Sequence, residues 1–233
     1  MKTYKVLPNV NDFKLGARVA SDVNYSKSGN VATFDVVRNF GGDKEPVFRK
    51  VTMFKPKDGF PEGLKKGAPV KLSAYFTPDN WVDKDGKQHH DVAIVVKKLE
   101  VVTLTEGQPQ PDDNNIDFAG RLAGDPYVSG NSAVFTAIRN FGGDKGTVSL
   151  RFSVFKKDEE SFPECLKKGA AVTVHAYITP NSYTGKDGEK KDEVRMVVKK
   201  VEPAELVERK VSDDKTQEEA EAEASEQAIV PEA

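Results

Sequence analysis

Arg38-Asn39-Phe40-Gly41-Gly42-Asp43-Lys44 recurs without a change as Arg139-Asn140-Phe141-Gly142-Gly143-Asp144-Lys145. The match continues outward from this block. Leu64-Lys65-Lys66-Gly67-Ala68 returns as Leu166-Lys167-Lys168-Gly169-Ala170, and Tyr75, Thr77 and Pro78 return as Tyr177, Thr179 and Pro180. Lys84-Asp85-Gly86 matches Lys186-Asp187-Gly188, and Val95-Val96-Lys97-Lys98 matches Val197-Val198-Lys199-Lys200. The offset drifts only from 101 to 102 residues, so order and spacing are shared. A period this long marks duplicated domains, because solenoid repeats run about 20–50 residues. The copies fall at 1–103 and 116–204, joined over 104–115 by a polar linker that contains Pro109 and Pro111.

Each copy reads as β. Val31 to Val37 and Ser132 to Ile138 are rich in β-branched and aromatic residues. Leu150, Phe152 and Val154 alternate with Ser149, Arg151 and Ser153, the period of a half-buried strand. Copy one has the same phase, with Val51 and Met53 facing one way and Phe48, Lys50, Thr52 and Phe54 the other. Lys84-Asp85-Gly86-Lys87 and Lys186-Asp187-Gly188-Glu189 read as hairpin tips, with glycine expected to supply the positive φ. No long helical stripe precedes residue 205, and about five strands per copy suit a small barrel.

Charge is divided unevenly. The chain of 233 residues has a net charge of −2, but residues 205–233 carry −7 and leave +5 for the rest. That acidic segment is poor in apolar residues and is expected to be a disordered tail. It reads as a solubility tail, as a docking segment for replication or repair proteins, or as an internal competitor for a basic groove. Cys165 is the only cysteine, which points to a reducing, cytoplasmic setting. The longest apolar run, Val92 to Val96, is far short of the ~20 residues of a membrane helix. The first residues, Met1-Lys2-Thr3-Tyr4-Lys5, hold no apolar stretch of the kind that directs secretion.

Gly120-Arg121-Leu122-Ala123-Gly124-Asp125-Pro126, followed by Gly130-Asn131-Ser132-Ala133-Val134-Phe135, resembles the first two strands of bacterial single-stranded DNA-binding proteins. Leu64-Lys65-Lys66-Gly67, a strand, and then Asn80-Trp81-Val82-Asp83-Lys84-Asp85-Gly86-Lys87 resemble that family's fourth strand and its aromatic-bearing hairpin. The resemblance covers most of both copies. It implies an all-β chain of two tandem OB-folds, each a five-stranded Greek-key barrel that binds strands across one face. The family's working unit of four OB-folds implies a homodimer. Two departures stand out. Lys55 to Gly63 is too rich in Pro and Gly for the family's helix between strands three and four. The last residues, Ile229-Val230-Pro231-Glu232-Ala233, lack the family's Pro-Phe-tipped docking peptide.

Holding an unpaired strand takes flat rings for bases and cations for phosphates. Strand phase and resemblance select Phe40, Phe48, Phe54 and Trp81 in copy one, and Phe141, Phe155 and Tyr183 in copy two. Ser149 stands where copy one has Phe48. The accompanying cations are Arg38, Lys44, Lys50, Lys84 and Lys87, then Arg139, Lys145, Arg151 and Lys186. Nothing points to catalysis or to a cofactor. His89 and His90 face opposite sides of a strand, and no Cys or acid cluster completes a metal site. The Gly-Gly pairs lack the Gly-Lys-Ser/Thr of a phosphate loop. The expected function is largely sequence-independent binding of single-stranded DNA. Single-stranded RNA and a protein-interaction scaffold are the alternatives.

Overall fold

The computed structural model describes residues 3–142, 146–156, 161–184 and 188–210. Its strands are β1 (Thr3–Val6), β2 (Asn11–Val19), β3 (Asn24–Tyr25), β4 (Val31–Arg38), β5 (Val47–Phe54), β6 (Pro69–Val82) and β7 (Gln88–Val101) in the first half. The second half holds β8 (Asn114–Leu122), β9 (Tyr127–Ser129), β10 (Ser132–Asn140), β11 (Thr147–Phe155), β12 (Ala171–Thr184), β13 (Lys190–Pro203) and β14 (Val207–Lys210). The described residues contain no helix, and Lys55 to Gly63 is a turn-rich loop as its Pro and Gly content predicts.

Two closed barrels result. In the first, β2 is bonded to both β4 and β6, and the circuit runs β2-β4-β5-β7-β6 with a parallel contact between β5 and β7. In the second, β8, β10, β11, β13 and β12 repeat that circuit. This is the five-stranded OB-fold, twice. Alternation along each strand sends Phe13, Leu15, Phe34, Val36, Val51, Met53, Leu72 and Phe76 inward in barrel one. Phe118, Leu122, Phe135, Leu150, Phe152, Val174 and Ile178 fill barrel two.

The barrels are fused. Antiparallel pairing of β2 with β8 carries one sheet of 12 strands through both copies. Its register pairs Phe13 with Ile116, which lie 103 residues apart and occupy the same place in the two repeats. A pseudo-twofold axis therefore passes through that pair. The cores meet across it as a run of rings: Phe13 stacks on Phe76 at 5.5 Å, Phe76 meets Phe118 edge-on at 6.4 Å, and Phe118 continues to Phe152 at 6.2 Å. Repeat symmetry also shows in a buried lock. Asn11 donates to the Phe76 carbonyl at 2.8 Å and accepts from the Phe76 amide at 3.0 Å, as Asn114 does with Ile178 at 2.9 and 3.0 Å. Asn11→Ala leaves a buried amide and carbonyl without partners and should cost about 2 kcal/mol, read by chemical denaturation.

Both segment boundaries shift from the sequence reading. Residues 207–210, assigned to the tail, form β14 and pair with β1 from Thr3↔Lys210 to Val6↔Val207. The linker begins β8 at Asn114, and its preceding backbone is held by side chains of barrel one. The rest of the tail, 211–233, lies outside the described residues.

Candidate nucleic-acid interface

The outward positions of β5 alternate with its core residues and set Phe48, Lys50, Thr52 and Phe54 on one face. On β6 the outward set is Tyr75, Thr77, Asp79 and Trp81. Register joins the two, since Thr52 lies beside Val95 and Val95 beside Tyr75. Copy two repeats the row with Ser153, Val197 and Tyr177, and β12 extends outward to Tyr183. Five of the expected platform rings keep between 45% and 58% of their surface open: Phe48, Phe54, Trp81, Phe155 and Tyr183. Exposure on this scale, at aligned positions in both barrels, is more than scattered surface apolarity.

Trp81 is the best-prepared ring. Its β-ladder partner is His89, and the two rings stack at 4.1 Å with planes 9° apart. His89 is fixed in turn by a 2.7 Å contact from Nε2 to Asp83 Oδ2. Asp83 Oδ1 accepts the Asp85 and Lys87 amides at 3.0 and 2.9 Å, closing the tip where Gly86 adopts φ 79. The His89 hydrogen bond, then that from Lys87, holds the Asp83 carboxyl below its ordinary range. Trp81 is thus braced on one face and half exposed. Lys84 and Lys87 are exposed at the same tip, and Lys44 and Lys50 are exposed near β5. His90 turns the other way and meets Asn80 at 2.9 Å, so the histidine pair has separate partners.

Copy two departs in detail. Phe155 has the Arg195 guanidinium 6.0 Å over its ring, and Arg151 is exposed on β11. Lys145 and Lys186 lie outside the described residues. Beside the pseudo-twofold axis, Lys97 sits 5.5 Å over Tyr75 and Lys199 sits 5.5 Å over Tyr177. Lys97 also bonds Asp12 at 2.7 Å and Lys199 bonds Asn115 at 2.7 Å. Sequence reasoning did not select these two cation–ring pairs, although both tyrosines and both lysines recur in the repeat. Tyr127 on β9 is also well exposed and was missed. Its copy-one counterpart on β3, Tyr25, is exposed as well, beside Phe60 at 5.2 Å, and was also missed.

Four expected site residues are used otherwise. Arg38 Nη1 donates to the carbonyls of Gly16 at 2.6 Å, Pro111 at 3.0 Å and Asp113 at 3.0 Å. Arg139 Nη1 donates to Pro8 at 2.8 Å and Ala119 at 3.2 Å. Gly16 and Ala119 are repeat equivalents, and so are Pro111 and Pro8. Each arginine therefore ties its own barrel to the segment that leads into the other barrel. Burial lowers both guanidinium pKa values; Asp112 and Asp113 oppose that lowering at Arg38. Phe40 and Phe141 lie beneath these guanidiniums, at 5.6 and 5.8 Å, and pack against the core. A turn next to Gly-Gly suggests open rings; the core and the guanidiniums instead cover them, the latter as cation–π partners.

The chain is thus a fused pair of OB-fold barrels with rings and cations on its outward sheet face. No family model matches the chain, and no curated protein matches it in sequence. Among solved structures, a deletion mutant of the single-stranded DNA binding protein from Thermus aquaticus is similar, with TM-score 0.57 and 16% identity over 89% of this chain and 98% of that one. The wild-type Thermus aquaticus protein gives TM-score 0.52 and 16% identity over 92% of this chain and 98% of that one. The chain has the tandem OB-fold of those proteins.

Proposed function

We propose that this chain binds single-stranded DNA with little sequence preference, without catalysis, and shields it during replication, recombination or repair. The observation that carries this reading is Trp81, braced on His89 and half exposed, together with four more exposed rings across both barrels. Every base has a π-face, so such a platform accepts any sequence, while neighbouring lysines meet phosphates. The likeness to the Thermus aquaticus protein supports the same reading through its fold. Lone Cys165, a thiol whose pKa burial raises, suits a reducing cytoplasm. The acidic residues beyond β14 are the natural docking or competing segment, and a second copy would complete four OB-folds.

The test uses the chain's only tryptophan. Oligo-dT should quench its fluorescence, and Trp81→Ala should weaken binding by roughly five- to a hundredfold, from about 1–3 kcal/mol of stacking. Oligo-U binding with equal strength would move the reading to RNA. Fluorescence indifferent to saturating oligonucleotide, or a Trp81→Ala protein that binds normally but melts much earlier, would count against it. Log K should also fall with log salt by about 0.7 per phosphate contacted. Binding insensitive to salt would remove the electrostatic half of the argument.

A further inference from the structure

The two arginine clamps are alike in geometry and opposite in charge balance. Arg38 lies against Asp112 and Asp113, whose carboxylates offset it. The repeat equivalents of those acids beside Arg139 are Asn9 and Val10, which carry no charge. A second cation takes their side: β14 brings Arg209 close enough to repel Arg139 and depress its pKa further. Copy one has no such strand, because its chain runs on into the linker where β1 and β14 pair in copy two.

Between these groups lies a pocket of about 160 Å3, whose lining includes Val6, Leu7, Phe141, Asn9, Arg139 and Arg209. No carboxylate lines it among the described residues. Arg139 spends Nη1 on two carbonyls and reaches Asn9 Oδ1 with Nη2 at 3.4 Å, while Arg209 is exposed at the mouth. Two guanidiniums on one pocket, with no acid among the described residues of its lining, give it a positive potential. A guanidinium fork matches the oxygens of a phosphate.

We propose that this pocket, at the junction of the β1–β14 ribbon with barrel two, takes one phosphate group of the bound strand, with Arg209 as its direct ligand and Arg139 as the fixed charge behind it. The inference rests on the single-strand reading above. It makes the closing strand of the fold part of the interface and gives the two barrels unequal roles.

The experiment measures binding of the full chain to oligo-dT across a salt series. Arg209→Gln should flatten the slope of log K against log salt by about 0.7, the loss of one phosphate contact, and Arg209→Lys should keep it. Asn9→Asp gives Arg139 the acid that the other clamp already has, and it should flatten the slope by a similar amount with no loss of melting temperature. It decides the matter if Arg209→Gln disturbs the ribbon. Unchanged or steeper slopes in Asn9→Asp, with Trp81 still quenched, would overturn the pocket and leave strand binding standing. A parent protein that binds no oligonucleotide would overturn both.

Discussion

Arg38→Met is expected to melt roughly 6–12 °C below the parent protein while binding oligo-dT with the parent's salt slope. Methionine keeps an apolar stem over Phe40 but withdraws the donor from Gly16, Pro111 and Asp113, whose carbonyls sit at 2.6, 3.0 and 3.0 Å. Breaking a partly buried, charge-assisted cluster of this kind costs about 3 kcal/mol. Asp112 loses the cation that balances it, while Asp113 keeps Lys71 at 3.6 Å. The barrels share one sheet and one run of core rings, so the loss should appear as a single earlier transition. A variant with unchanged melting and a slope flatter by about 0.7 would return Arg38 to the strand-binding groove.

Gly16→Ala should be at least as damaging. A Cβ at Gly16 would be driven into the carbonyl group of Pro111, which is backbone and cannot swing aside. Gly16 also donates its amide to the Asp113 carbonyl at 2.7 Å and accepts from Arg38 at its own carbonyl, so a shift that made room would open the junction. The expected cost is about 3–4 kcal/mol, overpacking plus the weakened hydrogen bonds, measured by denaturant unfolding. The repeat offers an internal control. Ala119 holds the equivalent place and makes the matching bond, from its amide to the Val10 carbonyl at 2.9 Å. Ala119→Gly should therefore cost no more than about 1 kcal/mol. A Gly16→Ala protein as stable as the parent would mean that the linker moves freely over barrel one.

The sequence by itself determined the duplication, the β character of each copy and the phase of its strands. Exact recurrence of Arg38 to Lys44 reports descent from one folding unit, and period-two alternation reports which side of a strand meets water. Phe48, Phe54 and Phe155 were legible as outward rings for that reason, and Trp81 and Tyr183 because they flank polar turns. Only the tertiary structure decided what the alternation leaves open. Arg38 and Arg139 look like surface cations beside aromatics, yet their partners are backbone carbonyls about 70 and 130 residues away, and carbonyls carry no sequence signature. The fusion of β2 with β8 is of the same kind, because strand pairing is made by backbone groups that every residue possesses. Closure of the fold by β1 and β14 likewise brings together the two ends of the described chain, and with them the two arginines that no local pattern could have joined.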